Sequence, residues 1–228
     1  MHSGHRERMR KKILTTNGSE IPPHEILEVL LYSTNTQRDT NPLAHELINK
    51  FGTLSAVFDA DFEELLKVKG IGVSSAQLIK MVPKIASAYM QDKNSFPNKL
   101  ITESEDAFYY VRPHYVEVTD EMPSALCLNN SGKVLGFDKI GEGNVSVTEI
   151  SVRKLVEVAL KYNAAQVILF HNHPSGIAIP SKNDIISTKN LVEVLKNIGV
   201  SLVDHIVVAG DDFVSMADSK EFSFIFER

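Results

Sequence analysis

The stretch Val167-Ile168-Leu169-Phe170-His171-Asn172-His173-Pro174-Ser175-Gly176, with Ser181 and Asp184 downstream, organises the reading of this chain. Its first four residues form a short, uniformly apolar run, the pattern of a strand buried on both faces. Two histidines at i and i+2 on extended chain project to the same side, roughly 6–7 Å apart by strand rise. Pro174, Ser175 and Gly176 then break the strand, and the apolar loop Ile177-Ala178-Ile179-Pro180 follows. Ser181 opens a helical pattern with Asp184 one turn further in, so both face the same end of that helix. Two imidazoles and one carboxylate leave a fourth tetrahedral position open, the arrangement of catalytic rather than structural zinc. Taken singly, a His pair at a strand end is a loop anchor and an Asp in a first helical turn is a dipole partner. Their joint spacing turns the reading toward a hydrolytic metal site.

The flanking segments place this stretch in an α/β region. Downstream, Ile185, Ile186, Leu191, Val192 and Leu195 continue the helix to about Gly199. Two further strands are expected, at 200–204 and 205–209, and another over Phe213 to Met216. Upstream, Ser151 to Tyr162 carries Val152, Leu155, Val156, Ala159 and Leu160 on one helical face. Ser124 to Leu128 and Lys133 to Ile140 read as strands joined by the turn Asn129-Asn130-Ser131-Gly132. Thr102 or Ser104 can cap a short helix that stops before Pro113. The second half is therefore expected to be a mixed sheet with helices on both sides.

The first half has a different grammar. Helical patterns cover His24 to Tyr32, Asn41 to Phe51 (with Asn41 as cap and Pro42 at the first helical position) and Leu54 to Phe58. Asp61 is positioned to cap Phe62 to Lys67. Lys69-Gly70-Ile71-Gly72 then separates two amphipathic segments, the form of a helix-hairpin-helix. The glycines permit a tight turn, and the next helix presents backbone N–H groups that suit a phosphate. The alternative is a hairpin that only packs or binds protein. Up to Lys93 the chain carries 12 basic and 11 acidic residues, without the excess expected of a strong nucleic-acid binder. The basic run His2 to Lys12 reads as a solvated helix face rather than a phosphate contact.

Gln91 to Lys99 is polar, contains Pro97 and has no apolar period, as a linker would. The expected division is a helical domain at 1–92, a linker at 93–99 and an α/β domain at 100–228. In a chain of 228 residues that is 43% hydrophobic and 23% charged, both parts can bury a core. Net charge is −5, which argues against a strongly basic nucleic-acid scaffold. The single cysteine, Cys127, lies in an apolar run and excludes a disulfide framework or a cysteine zinc cluster. No signal-peptide pattern or membrane-length apolar run is present, so a cytoplasmic protein without a membrane partner is expected.

The spacing His171-x-His173, seven residues, Ser181, two residues, Asp184 resembles the JAMM (MPN+) metalloprotease motif. The longer run 163–176 closely resembles the RadC family within that group, and the resemblance extends over nearly the whole chain. It implies a JAMM-type mixed sheet flanked by helices, preceded by a small all-α domain with a helix-hairpin-helix-like motif. It also implies one Zn²⁺ per chain, held by His171, His173 and Asp184, and Ser181 as a donor to the developing oxyanion. JAMM enzymes use a Glu on an early strand as general base, and Glu121 stands at that place, with Glu142 next. Here Met122 and Pro123 follow Glu121, where relatives carry an apolar residue and Phe. Ser151-Val152-Arg153-Lys154 stands where relatives show His-Pro-Arg-Glu, leaving Arg153 as the shared member. His205 and His114 read as core or edge residues. The implied activity is cleavage of a peptide or isopeptide bond in a protein substrate. Because RadC relatives are associated with DNA repair, a metal-dependent nuclease or DNA-binding protein acting through the hairpin is the first alternative. A non-catalytic scaffold is the second.

Overall fold

A computed structural model describes residues 3–94, 99–116, 118–141 and 152–226. Part of the expected linker (95–98), the alternative base Glu142 and the first helical residue Ser151 lie outside the described residues. The chain divides into two compact units, Met1–Ala86 and Ser87–Arg228.

The first unit is helical: α1 (Ser3–Thr15), α2 (Pro23–Leu31), α3 (Asn41–Phe51), α4 (Leu54–Asp59), α5 (Phe62–Leu66) and the start of α6 (Val73–Asn94). Its core is made of Leu27, Leu31, Ala44, Leu47, Val57, Leu65, Val68, Ile71, Ala76 and Ile79, of which Leu27 and Leu31 in α2 and Ala44 and Leu47 in α3 stand at helical i, i+4 and i, i+3 spacing. Thr40, not Asn41, is the cap residue of α3. The Asn41 amide is drawn away to the buried Glu28 carboxylate at 2.8 Å, which also receives the Tyr32 hydroxyl at 2.6 Å. A buried carboxylate is costly unless its oxygens are satisfied, and that demand takes the better cap residue. The basic run of α1 is not simply a solvated face. Arg6 donates to the carbonyls of Asn35 and Thr36, both at 2.6 Å, and Lys12 pairs with Glu25 at 2.5 Å.

The second unit holds α7 (Ser104–Val111), β1 (Ser124–Leu128), β2 (Val134–Lys139), α8 (Val152–Lys161), β3 (Gln166–Asn172), α9 (Lys182–Asn197), β4 (Ser201–Ala209) and β5 (Asp212–Ser215). The strands form one sheet in the order β2-β1-β3-β4-β5. Only β3 and β4 are parallel, and α9 supplies the crossover that a parallel pair requires. Ala125, Cys127, Val167 and Leu169 pack on one face with Leu155, Val158 and Ala159 of α8 and Leu191 and Leu195 of α9. Leu126, Leu128, Ile168 and Phe170 pack on the other with Ala107, Phe108 and Val111 of α7. The sheet is thus buried on both faces, which explains the uninterrupted apolar run in β3.

The two strands expected at 200–204 and 205–209 are one continuous strand, β4. Asp204 reads as a break in sequence, yet its carboxylate accepts from Ser215 Oγ (2.6 Å), His205 N (2.7 Å) and Ala217 N (2.9 Å). The break is instead a bulge. Val167 pairs with Leu202 and Ile168 with Asp204, so Val203 is the extra residue. Leu202 belongs to the α8/α9 core, whereas Ile206 and Val208 belong to the α7 core. The bulge therefore inverts the alternation and turns His205 toward α9.

Candidate metal centre

The centre is built at the carboxyl end of β3 and the amino end of α9. His171 follows Val167 and Leu169 by the two-residue period, so its ring points to the α9 side. His173 keeps that side because the ladder continues past the strand, with His173 N donating to Val208 O at 2.7 Å. Gly176 turns the loop at φ 84°, a conformation that favours glycine. Ser181 then caps α9 in a reciprocal box. Its backbone N–H donates to Asp184 Oδ2 at 2.6 Å, and Asp184 N donates to Ser181 Oγ at 3.2 Å. The cap fixes the carboxylate where the histidines arrive.

His171, His173 and Asp184 each offer a donor atom, and all three lie within 4.8 Å of one another. His171 Nε2 and His173 Nε2 are 2.9 Å apart, and Asp184 Oδ2 is 3.6 and 3.8 Å from them. Donors arranged tetrahedrally around a zinc-sized ion lie about 3.3 Å apart, so this set fits such an ion. His173 Nδ1 is 2.8 Å from Ile177 O. A carbonyl only accepts, so Nδ1 carries the proton and Nε2 keeps its lone pair for the centre. Burial alone would raise the Asp184 carboxyl, yet His171 and the Ser181 contacts hold it well below the usual carboxylate range. It is therefore an anion in this setting.

Three residues around the centre had no assigned functional part in the sequence reading. Asn172, between the histidines, faces the other way: its Oδ1 accepts from Met122 N at 2.8 Å and its Nδ2 donates to Asp120 O at 3.0 Å. These bonds hold both neighbours of Glu121 against the end of β3. His205 Nε2 lies 2.8 Å from His171 Nδ1, and Thr188 Oγ1 lies 2.6 Å from His205 Nδ1. His205 is wholly buried, and burial, with the neighbouring His171, lowers its pKa well below the ordinary value. It is a core residue, as read from sequence, and it also touches a candidate ligand. The signal for Thr188 was its place one turn beyond Asp184. That for His205 depended on the bulge at Val203.

The other expected residues fall elsewhere. Arg153 pairs with Glu157 on the exposed face of α8 at 2.9 Å, and the His114 and Phe137 ring centroids are 4.3 Å apart. In the hairpin, Gly70 adopts φ 101°, Lys69, Gly70 and Gly72 are exposed, and Ile71 is buried in the helical core. The backbone is thus a tight turn, and its apolar residue serves packing.

Comparison with known proteins gives a consistent result. Residues 101–221 match the RadC-like JAB domain, and residues 2–77 match the UPF0758 N-terminal domain. A UPF0758 protein of Fusobacterium nucleatum is 31% identical over 225 residues, covering 95% of this chain and 96% of the relative. UPF0758 proteins of Cupriavidus taiwanensis and of a Geobacillus species are each 31% identical, covering 94% and 92% of this chain and 94% and 93% of those relatives.

Proposed function

Because the chain belongs to the family defined by the RadC-like JAB domain and the UPF0758 N-terminal domain, we propose that it is a zinc-dependent hydrolase of peptide or isopeptide bonds. The observation that carries this reading is the convergence of His171, His173 and Asp184 within 4.8 Å. Zinc held there would acidify a water and polarise the scissile carbonyl.

The remaining work falls to the chain itself. Glu121 takes the proton of the attacking water and returns it to the leaving nitrogen, the two-way transfer expected of a general-base carboxylate. Its position is supported by the Asn172 bonds to the backbone on either side of it. Ser181 is exposed, and its Oγ accepts from Asp184 N, which leaves the hydroxyl proton to donate. That proton stabilises the oxyanion as the tetrahedral intermediate forms. Asp184, kept ionised, would offset the positive charge of a bound metal.

Among the described residues, one group of three His, Cys, Asp or Glu side chains is placed to hold a metal. Phosphodiester cleavage commonly employs two metals, so a single group favours the amide substrate. A Glu121→Gln variant tests the assignment of the base. It should bind zinc as the native chain does and lose hydrolysis of an isopeptide-linked fluorogenic substrate by about 10²-fold or more. Unchanged turnover in that variant would remove Glu121 from the mechanism.

A further inference from the structure

We infer that Thr188 and His205 are positioning residues that fix the tautomer of His171, so that its Nε2 faces the centre as a bare lone pair. The inference rests on the metal-binding reading of His171 and assigns it a proton relay. Thr188 Oγ1 lies 2.6 Å from the Asp184 carbonyl oxygen. Two oxygens at that distance need a proton between them, and a carbonyl has none, so the Thr188 hydroxyl donates. Its single proton is then used. His205 Nδ1, 2.6 Å from the same Oγ1, must therefore carry the hydrogen of that contact. A neutral ring protonated at Nδ1 presents a lone pair at Nε2. That lone pair, 2.8 Å from His171 Nδ1, requires the proton there and so bares His171 Nε2.

Each link of the relay has one consistent direction, and at its end His171 Nε2 and His173 Nε2, both bare and 2.9 Å apart, face each other across the position a bound ion would take. The relay begins at the backbone of Asp184 and ends on the ring of His171, so both ends belong to the proposed ligand set. The three side chains of the relay are fully buried, with Thr188, His205 and His171 each at 0% exposure, and solvent does not supply a substitute donor. A Met216 sulfur 3.9 Å from Thr188 Oγ1 is a weak acceptor and cannot replace the carbonyl. Orientation of a ligating histidine through its other nitrogen typically changes metal affinity by about 10–100-fold.

The test is a nearly isosteric change two rings away from the metal. In Thr188→Val, His205 loses its acceptor at Nδ1, and reversal of its tautomer places a hydrogen against His171 Nδ1. His171 must then carry its own proton at Nε2, in the metal position. Long-range ¹H–¹⁵N correlation of the imidazoles in zinc-free protein reads this directly: His171 should be the Nδ1–H form in the native chain and the Nε2–H form in Thr188→Val. Zinc affinity, by competition with a chromophoric chelator, should fall about 10–100-fold in Thr188→Val and in His205→Leu. Thr188→Ser, which keeps the hydroxyl, should restore both readouts. A native chain that binds zinc, with Thr188→Val unchanged in tautomer and affinity, would overturn the relay while leaving the metal centre intact. A native chain that binds no zinc but shows the Nδ1–H form switching to Nε2–H in the variant would uphold the relay and sink the metal reading.

Discussion

Ser181 serves the structure at the cap and the proposed chemistry at the same time, and the two roles separate by magnitude. As the cap of α9, its Oγ satisfies Asp184 N, and losing such a cap costs about 1 kcal/mol. As an oxyanion donor it is expected to contribute about 10²–10³-fold in turnover. Ser181→Ala should therefore lower stability to urea by about 1 kcal/mol and lower kcat by about 10²-fold or more, with zinc content retained. Equal zinc and a small kcat change would leave Ser181 as a cap alone. The capping box was readable from Ser181-x-x-Asp184 because its rule is local. The three proposed ligands were readable too, since strand period and helix start put them at one place. Glu121 was not so accessible: the feature that ties its loop to the site is Asn172, fifty positions beyond Met122 in sequence.

At the scale of elements, β4 carries the largest difference between pattern and structure. Its bulge at Val203 is set by pairing with β3, which no local rule supplies, and it selects His205 for the α9 side. Asp204 sits at the same irregularity. Burial pushes its carboxyl up to about 6, despite hydrogen bonds from Ser215, Ala217 and His205 that oppose the shift. The unfolded chain ionises near 3.8, so between these values the folded chain holds the extra proton and stability falls as pH rises. The ionised group disfavours the fold above about pH 6 by roughly 3 kcal/mol, and that contribution disappears below about pH 4. Asn in its place keeps acceptors for the two backbone N–H groups without the charge. Urea unfolding at a series of pH values should show native stability falling from pH 4 to 6 relative to Asp204→Asn. Parallel pH profiles would contradict this account. Asp184 contributes in the opposite sense: its lowered pKa gives stability that is lost only as pH falls below the ordinary carboxylate range.

Across the whole molecule, the two halves of the sequence carry two hydrophobic grammars, and each compact unit buries a core of its own. The mixed sheet with helices on both faces was legible because α8 and α9 have clear apolar stripes and β3 a continuous apolar run. The hairpin was legible as a turn through its glycines, but the inward direction of Ile71 depends on α2 and α3 closing over it. Among the described residues, no helix is long and apolar enough to cross a membrane. The proposed chemistry is concentrated in the α/β unit, where the end of β3, the residue just after it and the start of α9 supply the three proposed ligands. Zinc per chain, by elemental analysis of the purified protein and of His171→Ala/His173→Ala, tests that central claim most directly. The account predicts about one zinc in the native chain and none in the double variant. A native chain that stays zinc-free after the metal is added back would contradict it.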